Sequence, residues 1–132
     1  MIAYLDTSAA MKLLVDERES PALLTYLQEA VGGADGEVAA GWLLHTELHC
    51  AARRHPQAID ADGVGQLLDS VTLVDLTRGD LLTAGSLPWG LRSHDAIHLA
   101  VALRIGVDAM IAYDVELQQA AAAAGLAAVS PG

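Results

Sequence analysis

The sequence is poor in cysteine, aromatic residues and positive charge. Its single cysteine, Cys50, excludes an internal disulfide framework and a zinc ribbon. Aromatic residues make up 4% of the chain and phenylalanine is absent, which argues against a single-strand-binding platform of stacked aromatic side chains. Lys and Arg number 7 against 17 Asp and Glu, so the formal charge is −10. Such a chain cannot coat nucleic acid through a broad basic face, but the balance is compatible with an acidic nuclease whose bound cations offset part of the charge.

Long apolar runs are also absent. Asp6 interrupts the N-terminal apolar residues too early for the core of a signal peptide, and no uncharged stretch approaches the roughly 18 residues that cross a bilayer. We therefore expect a cytoplasmic protein with no membrane contact. Hydrophobic residues make up 53% of the 132 residues, which is enough to fill a core, and we expect a single domain over residues 1–132.

Short apolar segments alternate with segments of helical periodicity. The predicted strands are Ile2–Leu5, Val38–Ala40, Val71–Leu76, Val107–Tyr113 and Ala127–Val129. The predicted helices are one capped by Thr7 or Ser8, one that begins at Ser20-Pro21, and those over 42–54, 58–69, 78–86, 93–104 and 115–124. This order predicts an α/β fold with a parallel sheet and helices on both faces, whose ligand site lies beyond the carboxyl ends of the strands.

Four carboxylates stand out by their positions in this scheme. Asp6 and Asp114 each directly follow a predicted strand. Asp95 lies in the first turn of a predicted helix, where the positive end of the helix dipole stabilises a carboxylate, and Glu47 lies among apolar residues on another helix. Taken alone, each acid is compatible with a turn, cap or solvated position, and sequence position does not show that the four meet.

Converging carboxylates repel one another, and a hard divalent cation relieves that repulsion. Oxygen ligands select Mg²⁺ or Mn²⁺ over zinc. A metal held by carboxylates polarises a phosphoryl oxygen and lowers the pKa of a bound water, which is the chemistry of phosphodiester hydrolysis. Arg92, three residues before Asp95, is expected at the edge of such a site as a phosphate contact.

Histidines offer a competing metal site. The pairs four residues apart, which could share a helix face, are His45 with His49 and His94 with His98. The segment around Glu47 is similar to the H-E-x-x-H zinc protease motif, but the glutamate comes one position late and no third ligand is evident. The alternative interpretation is that these are surface or core histidines. Cys50 is expected to be a small buried hydrophobic residue.

Four short segments, taken together, are typical of a known family. They are Leu5–Ala9, Thr46–Leu48, His94–Ala100 and Tyr113–Asp114. In this order they resemble the PIN-domain nucleases and, among these, the VapC toxins of bacterial toxin–antitoxin pairs. The likeness extends over nearly the whole chain, from Ile2 to Pro131. The resemblance implies a three-layer α/β/α PIN-like domain with a central, mostly parallel sheet.

The resemblance also implies a function. The expected protein is a metal-dependent endoribonuclease that acts as the toxin of a toxin–antitoxin pair and hydrolyses RNA with a metal-activated water. By position, the catalytic acids would be Asp6, Glu47, Asp95 and Asp114, and the ligands of Mg²⁺ or Mn²⁺ would be Asp6, Asp95 and Asp114. Ser8 takes the place of the small polar residue that supports the first Asp. The implied partners are an RNA substrate, a VapB-like antitoxin that covers the site, and a second copy of the chain in a homodimer.

Two positions depart from the family pattern. Ala112 stands where many relatives have a hydroxyl residue two positions before the last Asp. Glu116 is the candidate for a further acid that some relatives carry. Two alternatives therefore stay open beside the nuclease: a PIN-fold binding module without catalysis, and a metal-dependent phosphohydrolase that acts on substrates other than RNA.

Overall fold

The computed structural model describes all residues from Met1 to Gly132. The elements in chain order are β1 (Ile2–Leu5), α1 (Thr7–Leu14), α2 (Ser20–Ala30), β2 (Glu37–Gly41), α3 (Leu43–Arg54), α4 (Ala61–Asp69), β3 (Thr72–Val74), α5 (Arg78–Ser86), α6 (Ser93–Ile105), β4 (Ala109–Ile111), α7 (Val115–Ala123) and β5 (Ala127–Val129). All five strands pair in parallel in one sheet, in the order β3-β2-β1-β4-β5. The predicted α/β fold with a parallel sheet is confirmed.

The strand order places a reversal at the centre of the sheet. The chain steps outward from β1 to β2 and β3, and then crosses to β4 on the other side of β1. Because parallel crossovers are right-handed, α1–α4 cover one face of the sheet and α5–α7 the other. In agreement, α1 packs on α2, α3 and α4, whereas α6 packs on α5 and α7. The carboxyl ends of β1 and β4 meet at the reversal, where sheets of this kind bind ligands.

Local sequence sets the ends of the helices. Asp6 caps α1, because its carboxylate accepts hydrogen bonds from the backbone N–H groups of Ser8 and Ala9. The prediction that Thr7 or Ser8 is the cap is therefore wrong by one or two residues, since both lie inside the helix. Gly106 ends α6 with φ at 69°, a left-handed conformation that glycine adopts without a steric penalty.

Two strands are shorter than their apolar runs predict. The runs over 71–76 and 107–113 give strands β3 and β4 of three residues each. Val107 and Ala112, which flank β4, are buried without belonging to the strand. Around β4 the hydrophobic pattern thus reports burial, whereas the strand length follows the three-residue pairings with β1 and β5. After β3 the pattern reports neither, since Leu76 is exposed.

The core is formed by apolar side chains from the sheet and from both helical layers. Its largest fully buried members are Tyr4, Leu5, Leu23, Leu44, Leu48, Leu99, Met110, Ile111 and Leu117. The prediction for Cys50 is wrong, because its side chain is exposed. It lies four residues from the exposed Thr46 and Arg54, on the face of α3 opposite the buried leucines. No helix combines the length and the hydropathy that crossing a membrane requires.

Candidate active site

The ends of β1 and β4 bring the first and last acids to one edge of the sheet. Asp6 follows β1 and is buried, and Asp114 follows β4 and caps α7. The Asp6 N–H donates to the Ile111 carbonyl at 3.2 Å, which extends the pairing beyond the strands. The Ser8 hydroxyl donates to Asp6 Oδ2 at 3.2 Å and accepts from the Tyr113 N–H at 3.2 Å. Ser8 therefore ties the two strand ends together beside the carboxylates.

Asp95 reaches the same edge from the other helical layer. It lies in the first turn of α6 and is 6% exposed. Burial raises the pKa of the Asp95 carboxyl, His94 and Arg92 oppose this, and the negative charges of Asp6 and Asp114 raise the pKa further. The Arg92 guanidinium group contacts both Asp95 and Asp114, and Ser8 ties the strand end before Asp114 to Asp6. The three aspartates predicted from the sequence therefore lie together, and we call them the aspartate cluster.

The aspartate cluster has more negative charge than its surroundings compensate. Burial raises the pKa of Asp6 despite the hydrogen bonds it accepts. Asp114 Oδ2 is buried and has no hydrogen-bond partner. Arg92 Nη2 lies 3.7 Å from that oxygen and Arg92 Nε lies 3.8 Å from Asp95 Oδ2. These are loose ion pairs, and the Arg92 side chain is 71% exposed, so its charge is largely screened by solvent.

This arrangement fits a hard divalent cation by its chemistry. The donors are carboxylate oxygens, two of the carboxyls have raised pKa values, and Asp114 Oδ2 is an unpaired acceptor. In the present conformation no group of three or more His, Cys, Asp or Glu side chains is drawn together closely enough to hold an ion. Binding of an ion would therefore require the carboxylates to move toward one another.

Glu47 is held separately, on α3. Its Oε1 accepts a hydrogen bond from Thr7 Oγ1 at 2.8 Å and lies 2.6 Å from His98 Nε2. Burial alone would raise the pKa of the Glu47 carboxyl, but the hydrogen bonds from His98 and Thr7 bring that pKa below its ordinary value. The side chain is 20% exposed and lines a surface pocket of about 480 Å³ with Thr7 and Arg54. Glu47 is thus an ionised, oriented carboxylate in contact with solvent.

The surroundings of His98 were not predicted from the sequence. His98 is 1% exposed, and its Nδ1 lies 2.7 Å from the Tyr4 hydroxyl. The Tyr4 oxygen also accepts from the Gly41 N–H at 2.9 Å. A histidine in the apolar run of α6 signals burial but not a partner, because its contacts come from β1, β2 and α3, which are distant in sequence.

Of the two histidine pairs considered as a competing metal site, the structure brings the rings of one pair into contact. The rings of His45 and His49 on α3 contact each other with centroids 4.6 Å apart and planes tilted by 59°. His94 and His98, both on α6, differ in environment, because the His94 side chain is 43% exposed whereas His98 is buried and contacts Tyr4 and Glu47. No third ligand joins either pair.

The two departures from the family pattern lie at the edge of the site. Ala112 is buried between β4 and Asp114. The Glu116 side chain is exposed, and its backbone N–H donates to Asp114 Oδ1 at 3.2 Å. Glu116 thus helps to orient Asp114 through its main chain.

Sequence comparison identifies the family. The model of the PIN domain matches residues 3–123. Ribonuclease VapC47 of Mycobacterium tuberculosis is 36% identical over 132 residues, which cover 98% of this chain and 96% of the relative. Ribonuclease VapC46 of the same species is 35% identical over 134 residues, with 97% and 96% covered.

Solved structures share the fold at low sequence identity. VapBC2 from Rickettsia felis, bound to a DNA fragment from its promoter, has a chain that superimposes with a TM-score of 0.76 at 11% identity over 100% of both chains. VapC20 of Mycobacterium tuberculosis, a sarcin–ricin-loop-cleaving toxin, gives a TM-score of 0.68 at 16% identity over 98% of this chain and 99% of that chain. These likenesses confirm the fold, and the sequence matches show that the chain belongs to the PIN domain family and, within it, to the VapC group of toxin–antitoxin systems.

Proposed function

We propose that this protein is a metal-dependent endoribonuclease and the toxin of a toxin–antitoxin pair. The observation that carries the proposal is the convergence of Asp6, Asp95 and Asp114 on one sheet edge, with a buried Asp114 oxygen that has no hydrogen-bond partner. The relatives at 36% and 35% identity are named ribonucleases, which supports RNA as the substrate.

The residues of the site divide into two groups by role. Asp6, Asp95 and Asp114 would hold Mg²⁺ or Mn²⁺, which supplies a polarised phosphoryl oxygen and a bound water of lowered pKa. Glu47 accepts both of its hydrogen bonds at Oε1, so Oε2 is available to accept a proton from a water in the solvent-filled pocket. Arg92, with its exposed guanidinium group, would contact the phosphate as its ion pairs with the aspartates are released.

We also propose an antitoxin as the protein partner. The VapBC2 structure from Rickettsia felis and a toxin–antitoxin complex from Klebsiella pneumoniae share this fold. A formal charge of −10 favours a basic inhibitory segment, because opposite charge speeds association and fixes register. A homodimer is part of the same proposal.

Cleavage of RNA by the purified chain tests the enzymatic proposal. After dialysis against a chelator, we expect no cleavage of total bacterial RNA, and recovery with Mg²⁺ or Mn²⁺ but not with Zn²⁺. Asp114→Asn should remain inactive, because an amide binds a hard cation poorly. His45→Ala combined with His49→Ala is the matched control and should retain activity. Recovery with Zn²⁺ alone, lost in the double histidine variant, would contradict the assignment of the site.

A further inference from the structure

A chain of polar contacts runs from the sheet to Glu47 behind the aspartate cluster. The Gly41 N–H donates to the Tyr4 oxygen at 2.9 Å. That hydroxyl lies 2.7 Å from His98 Nδ1, and His98 Nε2 lies 2.6 Å from Glu47 Oε1. Tyr4 and His98 are 0% and 1% exposed. The hydrogen bonds that join Gly41, Tyr4 and His98 are therefore shielded from water.

The direction of each hydrogen bond follows from counting hydrogens. The Gly41 N–H is only a donor, so the Tyr4 oxygen accepts it and the Tyr4 O–H remains to donate. The acceptor within reach is His98 Nδ1. If Nδ1 carried a hydrogen, the Tyr4 O–H would be left buried without a partner, which is costly. His98 therefore has its hydrogen on Nε2. This nitrogen lies 2.6 Å from Glu47 Oε1 and 3.0 Å from Thr7 Oγ1, and the shorter contact, to a charged acceptor, is the bond that it donates.

Thr7 completes the arrangement around the same oxygen. Its hydroxyl donates to Glu47 Oε1 at 2.8 Å, so Oε1 has two donors. Thr7 directly follows Asp6, and Thr7, Glu47 and His98 come from α1, α3 and α6. The position of Glu47 relative to the aspartate cluster is thus set by both helical layers.

Gly41 makes the close approach of Tyr4 possible. A Cβ at this position would lie 3.2 Å from the Tyr4 oxygen and 3.4 Å from Val101 Cγ2. These contacts are tight, so a larger residue would require Tyr4 or Val101 to shift by a few tenths of an ångström. A glycine at the last position of β2 is therefore part of the same arrangement.

We infer that His98 and Tyr4 are positioning residues for the reaction, which hold Glu47 so that Oε1 is occupied by donors and Oε2 alone is left for a water. The inference rests on the proposed hydrolysis of RNA. Neither residue touches the substrate; they act by fixing the orientation of one carboxylate.

Two substitutions of His98 separate this role from a structural one. In His98→Gln the side-chain amide nitrogen reaches the place of Nε2 and still donates to Glu47, whereas in His98→Asn the amide reaches only the place of Nδ1. We expect His98→Asn to lower kcat by about 10- to 100-fold, the range found when groups that orient site residues are removed, with little change in KM. His98→Gln should stay within a few-fold of the wild type.

Glu47→Gln is the reference variant. If His98 acts through Glu47, adding His98→Asn to Glu47→Gln should lower kcat no further, because coupled residues are not additive. Tyr4→Phe, which removes only the hydroxyl, should lower kcat in the same direction as His98→Asn and covers the case in which His98→Asn fails to fold. Full kcat in both His98→Asn and Tyr4→Phe would overturn the inference.

A measurement without RNA or metal tests the arrangement itself. The ¹⁵N shifts of the imidazole nitrogens report which of them carries the hydrogen, and the His98 signals are assigned by their absence in His98→Asn. We expect the Nε2–H form in the wild type, and the Nδ1–H form would overturn the inference. If the wild type cleaves RNA and His98→Asn is unimpaired, the positioning role alone fails; if the wild type cleaves no RNA, the proposed function fails and the role with it.

Discussion

At the scale of residues, the fold places carboxylates of the site where their ionised form is unfavourable. Asp95 is 6% exposed, faces the charges of Asp6 and Asp114, and has a raised pKa mainly because of burial. A carboxyl whose pKa is higher in the folded than in the unfolded chain stabilises the fold when protonated and loses that contribution as the pH rises through its folded pKa. The metal-free protein therefore gives up stability at neutral pH to keep these charges together.

Asp95→Asn should stabilise the metal-free fold while abolishing activity. The amide removes the charge at nearly constant volume, so we expect the free energy of unfolding to rise by on the order of 1 kcal/mol at neutral pH. The added stability of the variant should disappear as the pH falls below about 4. At that pH Asp95 is protonated and neutral in both the folded and the unfolded wild type, so the substitution removes no charge. Urea unfolding at several pH values, in the presence of chelator, measures both. A loss of stability at neutral pH would contradict the account of the aspartate cluster as a site of uncompensated charge.

At the scale of elements, an ion pair between a buried carboxylate and a partly exposed guanidinium group joins α5 and α6 beside the site. Arg104 on α6 donates to Asp80 Oδ1 through Nε at 2.7 Å and to Oδ2 through Nη2 at 3.0 Å. Asp80 also forms the capping box of α5 with Thr77, and Arg104 donates to the Asp75 carbonyl at 2.8 Å. Because Asp95 lies on α6, this pair helps to fix the helix that carries part of the aspartate cluster.

Arg104→Ala should cost stability in a pH-dependent way. Asp80, whose side chain is 2% exposed, would lose its partner, so we expect the free energy of unfolding to fall, and by less than for a fully buried pair because the Arg104 side chain is 41% exposed. Hydrogen bonds from Arg104 lower the pKa of Asp80, so the contribution is present above the ordinary Asp pKa and is lost as the pH falls through the folded pKa. The difference between wild type and variant should stay constant from about pH 7 to about pH 5 and shrink as the pH falls below about 4. Arg104→Lys, which keeps the charge but not the paired geometry, should have a stability between those of the wild type and Arg104→Ala. A difference that does not shrink below about pH 4 would contradict the role of the ion pair.

The elements and the site differ in how far the sequence predicts them. The helix over 78–86 and the strand over 127–129 agree with the structure to the residue, because capping residues and apolar periodicity are local signals. The aspartates could be placed because each follows a strand or begins a helix, and a parallel sheet brings those positions to one edge. The hydrogen-bond partners of Glu47 could not be predicted, because Thr7 and His98 lie 40 and 51 residues away in the sequence. The prediction for Cys50 is wrong for a different reason, since the residue type alone does not reveal which face of α3 is buried.

At the scale of the whole molecule, charge is the dominant property. A formal charge of −10 in 132 residues repels itself in the compact state. Part of that repulsion is concentrated in the aspartate cluster. Arg92 offsets it only weakly, because its nitrogens lie 3.7 Å from Asp114 Oδ2 and 3.8 Å from Asp95 Oδ2. General screening by salt relieves the diffuse part, whereas an ion bound at the cluster relieves the concentrated part. The two effects can be separated by the concentration at which each acts.

Mg²⁺ and Mn²⁺ should therefore raise the melting temperature at concentrations where NaCl of equal ionic strength does not. A ligand that binds only the folded state stabilises it by RT ln(1 + [L]/Kd), which is about 1.4 kcal/mol at ten times Kd. Asp114→Asn should remove most of this rise, because it removes a ligand and the unpaired oxygen. His45→Ala with His49→Ala, on the far face of α3, should leave the rise intact and serves as the matched control. Thermal unfolding by circular dichroism, with each salt titrated into chelator-dialysed protein, gives the comparison. An equal rise with NaCl, or one that survives Asp114→Asn and disappears in the double histidine variant, would show that the bound cation is not at the aspartate cluster.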